Sequence, residues 1–149
     1  MDGKLEAARR FAAGVASLSV ASILVFPLLA LAKADGSIDS PKIEVFSGTV
    51  TVRGTLAKMS DGERYWLVVR KGNLLWPKLR VRAEPRWEAM IQEPTAPGGR
   101  FSIVLFAVSP RGDQQLQAWV KSGELANQYQ GMRAIPEGEE LDAVHLTAR

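Results

Sequence analysis

The chain has 149 residues, with 19 Lys and Arg against 16 Asp and Glu, a formal charge of +3, no cysteine and one histidine. That composition excludes a disulfide framework, thiolate chemistry and lipid attachment through cysteine. A zinc site would lack most of its usual ligands, so no metal and no cofactor is expected.

The first element is the run from 11 to 32, which carries no charged residue and follows Lys4, Arg9 and Arg10. Its length is close to the ~20 apolar residues of a bilayer-spanning helix and exceeds the ~7–15 of a signal-peptide core. Its first half is rich in Ala, Gly and Ser, and Pro27 interrupts the strongly apolar part. Ala30-Leu31-Ala32 and Ala32-Lys33-Ala34 are small-x-small cleavage patterns. Residues 1–32 are therefore either a signal peptide cleaved near Ala32 or Ala34, or an apolar helix that stays as a single-pass anchor. In both cases the basic flank holds the N-terminus in the cytoplasm. The rest is then extracytoplasmic: periplasmic, secreted or held at the membrane. A disulfide-free exported domain fits a bacterial envelope.

Residues 33–42 read as a linker, because turn formers dominate and Pro41 blocks a helix. Residues 43–149 are of one-domain size. Period-two alternation predicts strands over 43–56, 65–70, 79–82, 87–91 and 101–108. The 101–108 run is the most apolar and should be the central strand, whereas the arginines alternating in 79–82 suit an edge. Leu116, Trp119 and Val120 fall at helical spacing, which predicts a short helix over 113–122 with Asp113 as N-cap and Gly123 as stop. Residues 141–147 read as the last strand, with Val144 and Leu146 inward and His145 outward. About seven closely spaced strands and no βαβ alternation predict a mainly β domain, an antiparallel β-sandwich with one short helix before its last strand.

The order Tyr65-Trp66, Trp76-Pro77, Gly98-Gly99-Arg100-Phe101, the helical Leu116 and Trp119, and Ile135-Pro136-Glu137-Gly138 resembles uncharacterised bacterial exported domains. Those carry an immunoglobulin-like or fibronectin-type-III-like sandwich. The resemblance implies a fold rather than an activity, and the helix before the last strand departs from it.

Catalytic patterns are sparse. His145 has no partner legible in the sequence that would make a Ser-His-Asp site. Glu137, Glu139, Glu140 and Asp142 are the only cluster with the acids a small hydrolase would need. Between Arg64 and Arg86 there are seven basic residues against one acid, Glu84. A basic patch can bind anionic lipid headgroups, teichoic-type polymers or nucleic acid, and export of the domain sets nucleic acid aside. Of the four tryptophans, Trp66 and Trp119 read as core, and Trp87 is ambiguous. Trp76, placed in a connection between strands beside Lys78 and Arg80, is the candidate contact for a partner or ligand. The expected function is a non-enzymatic interaction module of the bacterial envelope, with a protein or an envelope polymer as partner. The alternative is a secreted ligand-binding protein, with carbohydrate first among its ligands through Trp76 and Trp87.

Overall fold

A computed structural model describes residues 33–41, 44–45 and 48–149. The N-terminal segment read as a signal or anchor lies outside them. The elements in chain order are β1 (Asp35–Ser40), β2 (Glu44–Val45), β3 (Gly48–Lys58), β4 (Arg64–Lys71), β5 (Leu74–Val81), β6 (Arg86–Glu93), β7 (Arg100–Val108), α1 (Pro110–Ala126) and β8 (Gly138–Ala148). The strands make two sheets, of order β1-β3-β6 and β2-β8-β7-β4-β5. All pairings are antiparallel except the short parallel contact of β2 with β8. The domain is therefore mainly β, with one helix before its last strand.

Alternation along each strand sends one set of side chains into a cluster shared by both sheets. Ile38, Val52, Trp87 and Ile91 come from the smaller sheet; Tyr65, Leu67, Ile103, Leu105 and Leu146 come from the larger. The other face of the larger sheet is apolar too. There Trp66, Val68, Val104, Phe106 and Val108 pack beneath Leu116 of α1 and Ile135 of the segment that follows it. This double coverage buries Ile103 to Val108 from both faces, and Phe101 and Ser102 are buried as well. β7 is the central strand, as its composition predicts.

Polar contacts close both flanks between the sheets. On one side Ile38 N donates to Asp142 Oδ2 at 2.7 Å, tying β1 to β8. On the other, Glu93 at the end of β6 takes ion pairs from Lys71 of β4 and Lys78 of β5, the latter at 2.8 Å. The buried Tyr65 accepts a hydrogen bond from Ser60 N at 3.1 Å, pinning the turn before β4. Burial pushes that phenol above its ordinary range.

Several expectations need correction. The supposed linker contains β1, paired along β3 from Asp35 to Ser40. Only Ile38 gives that strand a large apolar side chain, so composition conceals it. The strand expected over 43–56 runs instead as β3, with β2 separate. The helix starts earlier and ends later than its apolar spacing suggests. Ser109, not Asp113, is the N-cap: its Oγ accepts from Gly112 N at 3.1 Å, with Pro110 in the first turn. The helix ends at Asn127, which adopts the left-handed conformation at φ 49° and lets Gln128 N reach Gly123 O. Gly123 is thus inside the helix and does not stop it. Trp76 and Pro77, expected between strands, belong to β5. Pro77 is tolerated because β5 is a sheet edge, where a missing N–H breaks no ladder.

Candidate functional site

β5 carries all three residues that the sequence singles out, and the structure separates them. A bulge in the β4–β5 ladder falls at Lys78, between the pairs Leu67↔Leu79 and Val68↔Pro77. An inserted residue reverses the facing of everything beyond it. Trp76 consequently pairs with Val69 and Arg80 with Trp66, two neighbours whose side chains enter opposite clusters, and the Trp76 ring lies over Gly131 at the sheet edge. Lys78 at the bulge turns toward β6, bonding Glu93 and donating to Gln92 O at 3.1 Å. Arg80 Nε lies 3.5 Å from Asp113 Oδ1. Both cations are thus engaged within the domain, although Arg80 stays exposed, and Trp76 is half-buried.

Glu93 is 3% exposed. Burial alone would raise its pKa, but the Lys71 and Lys78 ammonium groups outweigh that and hold it below the usual carboxylate range. Thr95 Oγ1 donates to the same carboxylate at 3.1 Å. Asp113 is the second buried carboxylate. It accepts from Trp66 Nε1 at 2.8 Å and from Gln117 Nε2 at 2.7 Å, which locks α1 to β4. Each carboxylate is taken up by partners within the domain.

The acidic run is dispersed in the same way. Glu137 accepts from Ser109 Oγ, Glu139 pairs with Lys33 at 2.5 Å, Glu140 holds Arg70, and Asp142 bonds Ile38 N. Among the described residues no group of three or more His, Asp or Glu is placed to hold a metal ion. His145 does have a neighbour that sequence could not supply: its Nδ1 is 2.7 Å from Ser102 Oγ, across the β7–β8 ladder.

The concave, aromatic part of the surface lies along the exposed side of β5. Trp76, Pro77 and Lys78 form one wall of a groove of about 220 Å³; Trp119, Val120 and Glu124 of α1 form the other, with Tyr129 at the end. A second hollow of about 260 Å³ shares Trp119 and Tyr129 and extends to Gln128 and Gln130. The Trp119 and Tyr129 rings are 5.4 Å apart and tilted by 47°, an attractive geometry for two aromatic quadrupoles. Two glycines seat the rings. A side chain at Gly123 would meet the Tyr129 ring at 2.2 Å, and one at Gly131 would meet the Trp76 ring at 2.8 Å. Gly131 is carried to β5 by paired backbone bonds between Leu75 and Met132, both 2.8 Å. Tyr129 remains 46% exposed.

Trp76, singled out in the sequence, lines this groove with Trp119, which is only partly buried, and with Tyr129, which follows the helix; the sequence reading proposed neither of those two. Trp87, offered as a second ligand-binding ring, is 5% exposed and packs against Gly54 in the core. Its Nε1 has no hydrogen-bond partner among the described residues. No protein-family model matches the chain, and no curated protein is significantly similar to it.

Proposed function

We propose that this domain is a non-enzymatic interaction module of the bacterial cell envelope, built as an immunoglobulin-like β-sandwich and exported or held by its N-terminal segment. The observation that carries the binding role is the aromatic groove. Trp76, Trp119 and Tyr129 meet beside a sheet edge, two of them seated on glycines, with apolar surface left outside the core. Rings held in place before binding lose little rotamer freedom on contact, which favours them as interface anchors. The buried Tyr65 hydroxyl, closing its corner onto Ser60, supports the sandwich assignment, because such corners recur in immunoglobulin-like folds. The basic flank and the uncharged run 11–32 that follows it support the location.

The partner is a protein or an envelope polymer that meets the groove with apolar or stacking surface. The test compares wild-type protein with Tyr129→Ala and Trp119→Ala for retention on isolated cell-wall polymer and on membrane protein fractions. Both variants should keep the wild-type melting temperature to within a few degrees and lose retention. Undiminished retention by both would refute the groove as the contact. A reporter joined after Arg149 that works only in the cytoplasm would refute the location. Mass spectrometry of the mature N-terminus separates a released chain from an anchored one.

Carbohydrate is the second reading, favoured by ring faces bordered by Gln128 and Gln130, which suit stacking plus hydrogen bonding. Saturable quenching of tryptophan emission by an envelope oligosaccharide, lost in Trp119→Ala, would select it.

A further inference from the structure

The half of the larger sheet's outer face that α1 leaves uncovered has a chemistry of its own. Arg70 of β4, Ser102 of β7 and His145 of β8 are in register and form one cross-strand row. Arg100 and Thr147 form the next row, two residues along. Neighbouring strands lie ~4.8 Å apart, so these polar side chains share one small area of surface. They line a concavity of about 600 Å³ together with Gly72, and among the described residues no carboxylate lines it.

The donors are fixed to different degrees. Ser102 is 7% exposed, and its bond to Nδ1 pins the imidazole while the rest of the exposed ring faces solvent. Arg70 is held by Glu140, with Nη1 at 3.5 Å, so its charge is partly offset and its position set. Arg100 is exposed and has no ion-pair partner among the described residues. A free guanidinium presents a planar fork of donors that matches the oxygens of a tetrahedral oxyanion. A ring nitrogen and a hydroxyl on the neighbouring strand extend that donor set.

We infer that this open sheet face binds a phosphoryl group, held mainly by Arg100, with His145 and Thr147 beside it and Arg70 adding positive field. The site lies on a different surface from the aromatic groove and goes beyond the partner role assigned to that groove. A soluble phosphate ester and a phospholipid headgroup offer the same chemistry, and the test separates them.

The purified full chain, isotopically labelled, is titrated with inorganic phosphate against chloride of equal ionic strength at constant pH, and backbone amide shifts are followed. Saturating shifts confined to residues 70–72, 100–102 and 145–147 are expected with phosphate only. Arg100→Ala should weaken the phosphate affinity about tenfold, the effect of losing one charge-assisted contact. His145→Ala should weaken it less, and Tyr129→Ala should leave it unchanged. Co-sedimentation with phosphatidylglycerol vesicles that Arg100→Ala abolishes would assign the phosphoryl group to a lipid. Saturation by phosphate with no vesicle binding would assign it to a soluble ester. Linear shifts, equal shifts with chloride, or unchanged affinity in both Arg100→Ala and His145→Ala would overturn the site.

Discussion

Replacing Glu93 with Gln tests how the two sheets are held together on the β5–β6 side. The carboxylate is almost wholly buried, and it is bonded to Lys71, Lys78 and Thr95. Removing one partner of a buried ion pair costs about 3–5 kcal/mol where the remaining charge stays buried. Here the two lysine side chains are 36% and 24% exposed, so they regain water when the carboxylate is lost. Gln also keeps hydrogen-bonding capacity. The expected cost is therefore smaller, about 2 kcal/mol at neutral pH, or a fall in melting temperature of roughly 5–10 °C for a domain of this size. Lys71→Met or Lys78→Met alone leaves the other ammonium in place and should cost less than Glu93→Gln.

The pH dependence gives the sharper check. The folded-state pKa of Glu93 is depressed, so its contribution is present above the unfolded value of about 4.3 and is lost as pH falls through the folded value. Urea unfolding at pH 7 should thus separate wild type from Glu93→Gln. The gap should close as the pH is lowered below about 4, because Gln cannot titrate. A stability difference that is the same at both pH values, or one below about 0.5 kcal/mol at pH 7, would refute the reasoning.

Further substitutions probe other layers. Leu105→Ala opens a cavity where the two sheets meet and should cost about 2–5 kcal/mol in a denaturant melt, whereas Met90→Ala, at 67% exposure, should cost under about 0.5. Asp113→Ala leaves Trp66 Nε1 without its acceptor beneath the helix and should cost about 2 kcal/mol; Asp113→Asn, which keeps a carbonyl oxygen, should cost about half that in the same melt. Trp76→Ala removes a ring that is only partly buried over Gly131, so thermal unfolding should show a loss of about 1–2 kcal/mol, below the roughly 3–5 expected of Trp66→Ala.

The apolar elements were legible in the sequence because hydrophobic burial writes itself as periodicity. The run ending at Val108, the arginine-bearing edge of β5 and the alternation of Val144 and Leu146 all carry that mark. β1 escaped notice because its ladder is made by backbone groups, which composition does not record. The helix boundaries depended on a cap and a left-handed residue, and the pattern Ser109-Pro110 was the available signal for the first. The site was harder to read. One inserted residue at Lys78 separates Trp76 from Arg80, and no local propensity announces a bulge. The meetings of Trp119 with Tyr129 across a helix end, and of Ser102 with His145 across two strands, depend on tertiary register.

The position of β8 has a consequence for when the domain can fold. Until this last strand arrives, β7 has only β4 beside it, and the side chain of Asp142 is not there to meet β1. The residues joining β6 to β7 also wait for Ala148, whose backbone bonds both Gly98 and Gly99. Hairpins such as β4–β5 can form early, but on their own they are marginal. Closure of the larger sheet therefore sets a slow, non-local step, and a chain emerging from synthesis keeps this sheet open until the eleven-residue β8 is free to pair.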